Sequence, residues 1–387
     1  TSMLLWQFMF WICVLMVMHT YLIYPWILSM VKASLSTEAP LDYFPSIDIL
    51  IAAYNEEEVI EEKIRSILSG DYPLDKIRVL VGSDGSTDRT EEILTSLSAE
   101  YSCIVLHRFK RGGKSKVVNS LMEKSKSELV IFTDANVLFS QNLIQEILRP
   151  FLAPSVALVG ADIRGCKVSN EGIEFQENEY LQRETRMKWA EGEKWGTMMG
   201  AFGGCYAMRS SSFEPIPIEF LVDDFYLSMK VLEQGHSSIL AKEAICYEDI
   251  SSKMSEEFRR KVRMSRGNFQ NLRKFSHFLL HHRKGLSFSF ISHKVLRWIS
   301  PMALITALLS SLMLSGNSNF YLVLFWLQFV IMFSPLMLMT LNAIGIRSRL
   351  VTFVAYFISM NVALFLGMLK SFRKVEKAIW EPTLRNQ

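Results

Sequence analysis

The chain consists of four long apolar blocks and one long polar stretch between the first two of them. The apolar blocks are Leu4–Val31, Trp298–Leu314, Phe320–Leu341 and Val351–Leu369. About 20 apolar residues in a helix cross the hydrocarbon core of a bilayer, so the pattern predicts membrane helices. Buried helices of a soluble core are the alternative, but the 22 uncharged residues of the third block argue against it. The first block is too long and too aromatic for a signal peptide.

The polar stretch begins with strand and helix patterns that alternate. Such alternation predicts an α/β fold with a parallel sheet, and the continuous apolar strands fit a sheet that is covered on both faces. The predicted organisation is a membrane helix (1–31), one domain (32–285), interfacial and membrane helices (286–369) and a basic tail (370–387). The predicted strands are Ile47–Ala53, Ile77–Gly82, Cys103–Leu106 and Leu129–Thr133, and the predicted helices between them are Glu56–Ser69 and Thr87–Leu97.

Composition excludes several classes of protein. The chain has 387 residues, 50% of them hydrophobic, and a net charge of +3. A disordered chain would have low hydrophobicity and high net charge. A charge of +3 is too small to indicate a nucleic-acid partner. The five cysteines include no CxxC pair, which predicts free thiols in a reducing compartment.

Basic residues predict which parts of the chain face the cytoplasm. The segment Lys253–Lys284 carries ten basic and two acidic residues, which is typical of the cytoplasmic side of a membrane. The basic tail and the loop with Arg347 and Arg349 should lie there as well. Three full spans after residue 286 cannot place both on that side. We therefore expect Val351–Leu369 to lie in the interface or to re-enter.

Polar side chains follow three of the predicted strands at the point where each strand ends. They are Tyr54-Asn55-Glu56, Ser83-Asp84 and Asp134-Ala135-Asn136. Ligands of parallel α/β sheets bind outside the carboxyl ends of the strands. Helix capping explains any one cluster equally well, but three clusters at one edge favour a binding crevice. Neither a GxGxxG nor a GxxxxGK[ST] motif is present in the sequence.

Four segments together resemble a known family in their order and spacing. Asp48–Asn55, Val81–Thr90, Asp134–Asn136 and Leu221–Asp224 resemble family 2 glycosyltransferases, which have the Rossmann-like GT-A fold. The apolar blocks resemble those of the membrane-bound branch, which includes cellulose, hyaluronan and poly-N-acetylglucosamine synthases. The resemblance implies a nucleotide-sugar-binding GT-A domain flanked by transmembrane helices.

The resemblance implies a donor site. Tyr54, Glu56 and Asp84 would line the base pocket, and Asp84 would accept a hydrogen bond from the uracil ring N–H. Lys114, in Arg111-Gly112-Gly113-Lys114, would bind the diphosphate, and a solvated loop lysine is the alternative.

The resemblance also implies a divalent cation, Mg²⁺ or Mn²⁺. Family members usually have Asp-x-Asp, and the matching residues here are Asp134 and Asn136. Hard oxygen ligands suit both ions. Because an amide oxygen is neutral, we expect weaker metal binding, with Asp134 as the main ligand.

For the catalytic base the resemblance indicates Asp224, with Asp223 second. A base must take the proton of the acceptor hydroxyl, and two adjacent carboxylates raise each other's pKa. Capping of the helix that follows is the alternative.

On the acceptor side, Gly203, Gly204 and Cys205 match a small-residue loop of the family, where glycine lets the backbone approach a sugar. We expect Cys205 to be a small buried residue and not a nucleophile. Processive members carry Gln-x-x-Arg-Trp, and the matching segment here has Arg260 for Gln and Met264 for Trp, with Arg263 retained. Arg263 is expected to contact the diphosphate, as Arg260 is. Met264 offers no flat face to a sugar, which argues against processive synthesis. A membrane-surface patch is the alternative for this basic cluster.

The resulting hypothesis is an inverting, metal-dependent glycosyltransferase at the cytoplasmic face of the inner membrane. Its partners would be a nucleotide-sugar, with a UDP-sugar expected, and a lipid-linked or glycan acceptor. Two alternatives stay open. The first is a processive polysaccharide synthase, which would need a second copy or an accessory secretion partner for its polymer. The second is a non-catalytic scaffold that binds nucleotide-sugar.

Overall fold

A computed structural model describes residues 2–32, 44–166, 172–249, 253–283, 285–345, 348–373 and 375. By their internal contacts the described residues divide into two units. The sheet unit comprises the described parts of Val31–Lys167 and Tyr180–Ile250. The helical unit comprises the described parts of Thr1–Met30, Val168–Glu179 and Ser251–Arg373.

The sheet unit is built on one eight-stranded sheet in the order β3-β2-β1-β4-β7-β6-β8-β5. All seven residues of β1 are buried, as expected for a central strand covered on both faces. The strands are β1 (Ile47–Ala53), β2 (Ile77–Asp84), β3 (Ile104–Phe109), β4 (Leu129–Asp134), β5 (Val137–Phe139), β6 (Val156–Cys166), β7 (Cys205–Arg209) and β8 (Ser237–Asp249).

The helices complete both units. The helices are α1 (Ser2–Met18), α2 (Tyr24–Ser29), α3 (Ile60–Leu68), α4 (Thr90–Glu100), α5 (Lys114–Met122), α6 (Leu143–Leu148), α7 (Gly172–Trp195), α8 (Asp223–Glu233), α9 (Met254–Lys274), α10 (Leu286–Ser289), α11 (Leu296–Ser315), α12 (Asn319–Met332), α13 (Ser334–Ala343) and α14 (Arg349–Lys370).

The sheet is mixed, whereas the sequence predicted a parallel one. The strands β1 to β4 are parallel to one another, as predicted, but β7 runs antiparallel to β4 and β6, and β5 runs antiparallel to β8. The short apolar runs of β5 and β7 were not recognised as strands. The third predicted strand was placed too early, because Cys103 lies outside β3 and the strand continues to Phe109.

The helix α3 shows why the sheet unit folds. Ile60, Ile64 and Ile67 are spaced for one helix face and are at most 1% exposed. Full burial of such a side chain contributes about 1.5–3 kcal/mol. The helix begins four residues later than predicted. Asn55 has a left-handed φ of 53°, and the Glu56 amide donates to Thr90 Oγ1 at 2.8 Å, so this segment is held as a turn.

Three helical stretches are long and apolar enough to cross a membrane: Ser2–Ser29, Leu286–Ser315 and Arg349–Lys370. A fourth candidate is the pair α12–α13, which bends by 52° between Met332 and Ser334. Pro335 lies in the first turn of α13, where its missing N–H is tolerated. The break therefore falls in the third apolar block. The fourth block, for which we expected an interfacial or re-entrant course, is one continuous helix of 22 residues.

Within the helical unit, the basic helix α9 packs along α14. Ser265 Oγ donates to Leu364 O at 2.7 Å, and Arg273 donates to Ser371 O at 3.0 Å. A Cβ added at Gly367 would lie only 2.4 Å from Ser265 Cβ, so this contact requires glycine. Helix α9 thus lies with the membrane-helix candidates, although the sequence placed it at the end of the 32–285 domain. Its contacts, not its polarity, decide this grouping.

Candidate active site

Strand pairing brings the three polar clusters of the sequence to one edge of the sheet. Ala53 pairs with Ser83, and Ala52 pairs with Asp134. The strands β1, β2 and β4 are parallel, so their carboxyl ends and the loops that follow lie side by side. This is where parallel α/β sheets bind ligands.

Asp84 organises the loop that precedes α5. Its carboxylate is 1% exposed and accepts bonds from the Gly112 amide (2.7 Å), the Gly113 amide (2.9 Å) and Arg111 Nη1 (2.5 Å). A nucleobase could reach this carboxylate only after Arg111 had moved. In this structure the Asp84 carboxylate is bonded within its own loop, and its expected bond to a uracil ring N–H stays a prediction.

Arg111 lies beside Tyr54, where the sequence predicted the pocket for the nucleobase of the donor. Its guanidinium carbon is 3.3 Å from the centroid of the Tyr54 ring, in stacking contact. Tyr54 was predicted for the base pocket, but Arg111 was not. The Arg-Gly-Gly-Lys run contained a sequence signal for this loop, since glycine permits positive φ angles. In the structure Gly113 adopts a φ of +94°, which turns the chain back towards Asp84. Glu56 is 4% exposed at the start of the neighbouring turn.

Lys114 begins α5 and links two of the predicted carboxylates. Its Nζ is 2.7 Å from Asp134 Oδ1 and 3.6 Å from Asp223 Oδ2. Burial opposes the charge of the ammonium group, but Asp134 and Asp223 outweigh it and raise the pKa of Lys114. The side chain is therefore a fixed cation and not a loosely solvated one. A cavity of about 10 Å³, room for about one water molecule, lies among the residues beside it, which include Gly203 and Tyr206.

Asp223 and Asp224 open α8 and point to different partners. Asp223 faces Lys114, whereas Asp224 lies against the backbone of Gly203. Burial and the adjacent Asp223 raise the pKa of Asp224 to about 6. The turn is held by Ser228, whose hydroxyl donates to Asp224 O (2.8 Å) and accepts from the Ala201 amide (3.0 Å). Asp224 thus has the pKa of a base that works near neutral pH.

Lys188 was missed by sequence reasoning. It lies on α7, is 5% exposed, and its Nζ is 3.4 Å from the centroid of the Phe202 ring. Its charge lowers the pKa of Asp224, against the effects of burial and Asp223. No motif indicated it, since α7 shows only a mixed run of charged and aromatic residues.

Three of the predicted acceptor-side residues, Gly203, Gly204 and Cys205, lie at the start of β7. Gly203 borders Asp224, and Gly204 has no room for a side chain, since a Cβ would meet Ile163 Cδ1 at 2.8 Å. Cys205 is fully buried, pairs with Thr133 across the β4–β7 ladder and is a free thiol. The structure places this cysteine in the core, as expected for a small buried residue.

Asp134 and Asn136 flank the turn between β4 and β5. The Asp134 side chain is 35% exposed and engaged by Lys114. Among the described residues, no group of three or more His, Cys, Asp or Glu side chains could hold a metal. One carboxylate with an amide oxygen two residues on nevertheless fits Mg²⁺ or Mn²⁺, because such ions take one or two carboxylates and complete their shell with water and substrate phosphates.

Arg260, Arg263 and Met264 belong to α9 in the helical unit, where Arg263 is exposed. Arg260 Nη1 is 3.4 Å from Glu257 Oε1. The neighbouring Lys261 donates to Glu177 Oε1 at 3.0 Å, and Tyr356 of α14 donates to the other carboxylate oxygen. Burial disfavours the charge on Glu177, but Lys261 outweighs it and lowers the pKa of the carboxyl. The roles of these three α9 residues towards a donor stay sequence predictions.

Comparison with known proteins shows similarity to glycosyltransferases over the part of the chain that includes most of the sheet. Residues 48–216 match the family model described as glycosyl transferase family 2. A beta-monoglucosyldiacylglycerol synthase of Synechocystis is 30% identical over 135 residues, which are 34% of this chain and 28% of that protein. The probable glycosyltransferase YdaM of Bacillus subtilis is 26% identical over 242 residues, 60% of this chain and 57% of that protein. The chain thus matches well under two thirds of the length of either relative.

A solved structure agrees on the fold. The mannosyltransferase PcManGT of Pyrobaculum calidifontis, in complex with GDP-Man and Mn²⁺, superposes with a TM-score of 0.72. The match covers 94% of this chain and 99% of the mannosyltransferase at 19% identity, which establishes a common fold.

Proposed function

Because residues 48–216 of this chain match the glycosyl transferase family 2 model, we propose that the chain transfers a sugar from a nucleotide-sugar to an acceptor with inversion at the anomeric carbon. One observation carries the proposal. The cation Lys114 and the half-buried carboxylate of Asp224 lie at one sheet edge, joined through Asp223. Inverting transfer needs a cation for the leaving diphosphate and a base for the acceptor hydroxyl.

In the proposed donor site, the nucleobase lies at Tyr54 and Arg111, and Lys114 receives the diphosphate. The ammonium group of Lys114 is already held by Asp134 and Asp223, so it is oriented at the sheet edge where a phosphate oxygen can join its partners. A UDP-sugar is the donor proposed from the sequence. The mannosyltransferase of the same fold binds GDP-Man, so a guanosine donor belongs in the same test.

Asp134 and Asn136 are the proposed ligands of Mg²⁺ or Mn²⁺. When bound, such an ion neutralises the charge that grows on the leaving diphosphate. Asp134 would exchange part of its bond to Lys114 for this ligation, which frees the ammonium group for the phosphates.

Asp224 is the proposed base. A carboxyl with a pKa of about 6 is ionised at neutral pH and basic enough to accept the proton of a sugar or lipid hydroxyl as the new glycosidic bond forms. Asp223 positions Lys114 and raises the pKa of its neighbour. No covalent sugar–enzyme intermediate is needed.

We place the catalytic domain on the cytoplasmic side of the inner membrane. The basic helix α9 marks that side. Its contact with Ser371 puts the carboxyl end of α14 there too. The start of α11 is nearby, since Phe269 and Trp298 are in ring contact. The helices α11 and α14 would then cross in opposite directions, and the bent pair α12–α13 would begin and end on the far side.

The acceptor is proposed to be a lipid or lipid-linked glycan that receives one or a few sugars. Two observations favour this over a processive synthase. Met264 replaces the tryptophan that stacks on a polymer, and the Synechocystis relative is named for a product on diacylglycerol. A polymer route would need more helices than the three or four candidate spans among the described residues. The non-catalytic scaffold is the remaining alternative.

The test uses the purified chain in nanodiscs with membrane lipid extract, Mn²⁺ and labelled UDP- and GDP-sugars. The expected result is a short lipid-soluble product from one donor, lost in Asp224→Asn while donor binding is kept. A ladder or long polymer would favour the synthase. Donor binding without product by the wild-type chain would favour the scaffold, and full turnover by Asp224→Asn would contradict the base assignment.

A further inference from the structure

Lys63 is a charged residue in the middle of the sheet unit. It lies on α3 between Ile60 and Ile64 and is 0% exposed. Burial lowers its pKa to about 7, although the nearby Cys205, Cys246 and Asp134 partly offset this effect. A leucine or methionine would fill such a site at no cost in desolvation. The lysine therefore calls for an explanation beyond packing.

The contacts of Lys63 converge on one turn. Its Nζ donates to Thr133 Oγ1 at 2.8 Å and to Val137 O at 2.5 Å. These two residues lie on either side of Asp134-Ala135-Asn136. The same ammonium group lies 3.7 Å from the centroid of the Phe139 ring, on the strand that follows. Lys63 thus bridges the two ends of this turn by hydrogen bonds.

The chain of hydrogen bonds continues to the second loop of the site. Thr133 Oγ1, which accepts from Lys63, donates to Gly204 O at 2.9 Å. The Asp134 amide donates to the same carbonyl at 3.1 Å. Gly203, one residue earlier, is the backbone against which Asp224 lies. Lys63 is therefore connected both to the turn of Asp134 and to the glycine loop beside the base.

We propose that Lys63 is a positioning residue, which holds the Asp134–Asn136 turn in the geometry that binds the divalent cation and keeps it in register with the glycine loop. The proposal rests on the proposed function for the identity of the metal turn. The positioning itself rests on the hydrogen bonds of Lys63 and Thr133. Loss of a group that orients a metal ligand typically weakens metal affinity by about ten- to a hundredfold.

The experiment compares full-length Lys63→Met with wild type in nanodiscs. Mn²⁺ affinity is measured from the electron paramagnetic resonance of free Mn²⁺, and amide hydrogen exchange is followed at residues 133–137 and 203–205. We expect Mn²⁺ binding to weaken roughly ten- to a hundredfold, with faster exchange in both segments. The melting temperature should change little, because the removed desolvation cost of the buried charge offsets the lost hydrogen bonds to Thr133 and Val137. A purely structural lysine would show the opposite pattern, with lower stability and unchanged metal affinity.

Two further variants control the comparison. Thr133→Val breaks the chain at its next link and should reproduce the weaker Mn²⁺ binding, even if Lys63→Met fails to fold. Ser66→Ala removes a hydroxyl that joins the same part of α3 to Phe139 but does not contact the ammonium group, and should match wild type.

The outcomes separate this proposal from the proposed function. If Asp134→Ala abolishes Mn²⁺ binding while Lys63→Met and Thr133→Val bind it as wild type does, the positioning role is overturned and the metal site stands. If Asp134→Ala binds Mn²⁺ as wild type does, the metal assignment of the proposed function fails. In that case the hydrogen-exchange data test whether Lys63 holds the turn. Unchanged exchange at residues 133–137 in Lys63→Met would overturn this positioning role.

Discussion

The carboxylate of Asp224 lies directly against the backbone of Gly203: a Cβ built on this glycine would be 3.2 Å from Asp224 Oδ2. A separation between 3.0 and 3.4 Å obliges the neighbour to move by a few tenths of an ångström. The base thus occupies space that only a glycine leaves open, and its position can be tested without changing the carboxylate.

Gly203→Ala should lower kcat by about tenfold and leave the donor dissociation constant unchanged, since a 1 Å misplacement of a catalytic group costs on the order of a hundredfold. Steady-state kinetics with donor binding by calorimetry measure both. Gly316→Ala is the matched control, because a Cβ there meets nothing within 4 Å. Wild-type kcat in Gly203→Ala would show that Asp224 tolerates the shift or is not the base.

The pH dependence of turnover should report Asp224 and Lys188. With a pKa of about 6, Asp224 is protonated and unable to act as a base at lower pH, so activity should rise as the pH increases through about 6. Lys188 lowers this pKa, so Lys188→Met should move the acid limb of the kcat profile to higher pH.

Lys242→Met is the control for that profile. Lys242 stacks on Trp189, at 3.1 Å from the ring centroid, and is not among the main causes of the pKa shift of Asp224. The acid limb of the kcat profile of Lys242→Met should coincide with that of wild type. An acid limb that stays in place in Lys188→Met would remove Lys188 from the site, and a flat profile between pH 5 and 7 would argue against Asp224 as the base.

A stability prediction concerns Asp48, at the start of β1. Its carboxylate is 1% exposed and accepts from Arg78 (2.7 and 2.8 Å), Ser125 (2.7 Å) and the Lys126 amide (2.8 Å). Burial alone would raise its pKa, but these donors lower it to about 2. Asp48→Asn leaves Arg78 without its charged partner and should cost about 3 kcal/mol in the free energy of unfolding, the usual range for a broken buried pair.

The same carboxylate predicts an acid limit. A carboxyl whose pKa is lowered in the folded state stabilises the protein above its unfolded pKa and loses this contribution as the pH falls towards 2. Chemical denaturation between pH 4 and 2 should show stability falling in wild type and a smaller fall in Asp48→Asn. Equal slopes in the two proteins would assign the acid sensitivity to other groups.

The sequence predicted those strands of the fold that show a clear hydrophobic pattern along the chain. The strands β1, β2 and β4 are unbroken apolar runs, and their parallel pairing sets Asp84 and Asp134 at one edge, as expected. The strands β5 to β8 were not predicted. Runs of three and five residues, as in β5 and β7, are too short to show a period, and the longer β6 and β8 were missed as well. The sequence predicted that Asp84 binds the nucleobase of the donor. Only the three-dimensional course of the Arg111–Lys114 loop shows that its carboxylate already accepts hydrogen bonds from that loop. Lys63 and Lys188 were missed because a buried lysine looks the same in a sequence as an exposed one.

The membrane topology provides the last prediction. Arg273 binds Ser371, so the end of α14 should lie on the cytoplasmic side with the basic helix α9. The start of α14, 22 residues earlier, is then on the far side, and so is the end of α11. Arg349, the first residue of α14, would then be on the far side as well, although the positive-inside rule alone favours the cytoplasmic side for a basic residue. The pair α12–α13 must accordingly enter and leave on one side, as a re-entrant or interfacial element.

Single cysteines at three exposed positions test this arrangement: Asn317→Cys, Ile344→Cys and Phe372→Cys. An impermeant maleimide is added to intact spheroplasts or to sealed inverted vesicles, and peptide mass spectrometry reads the labelling at each position. We expect the cysteines at 317 and 344 to react only in spheroplasts and the cysteine at 372 only in inverted vesicles. The half-buried native Cys103 in the sheet unit serves as the internal marker for the cytoplasmic side. Labelling of 317 and 344 from opposite sides would make α12–α13 a full span, and the contact between α9 and α14 would then have to form without α14 crossing the membrane.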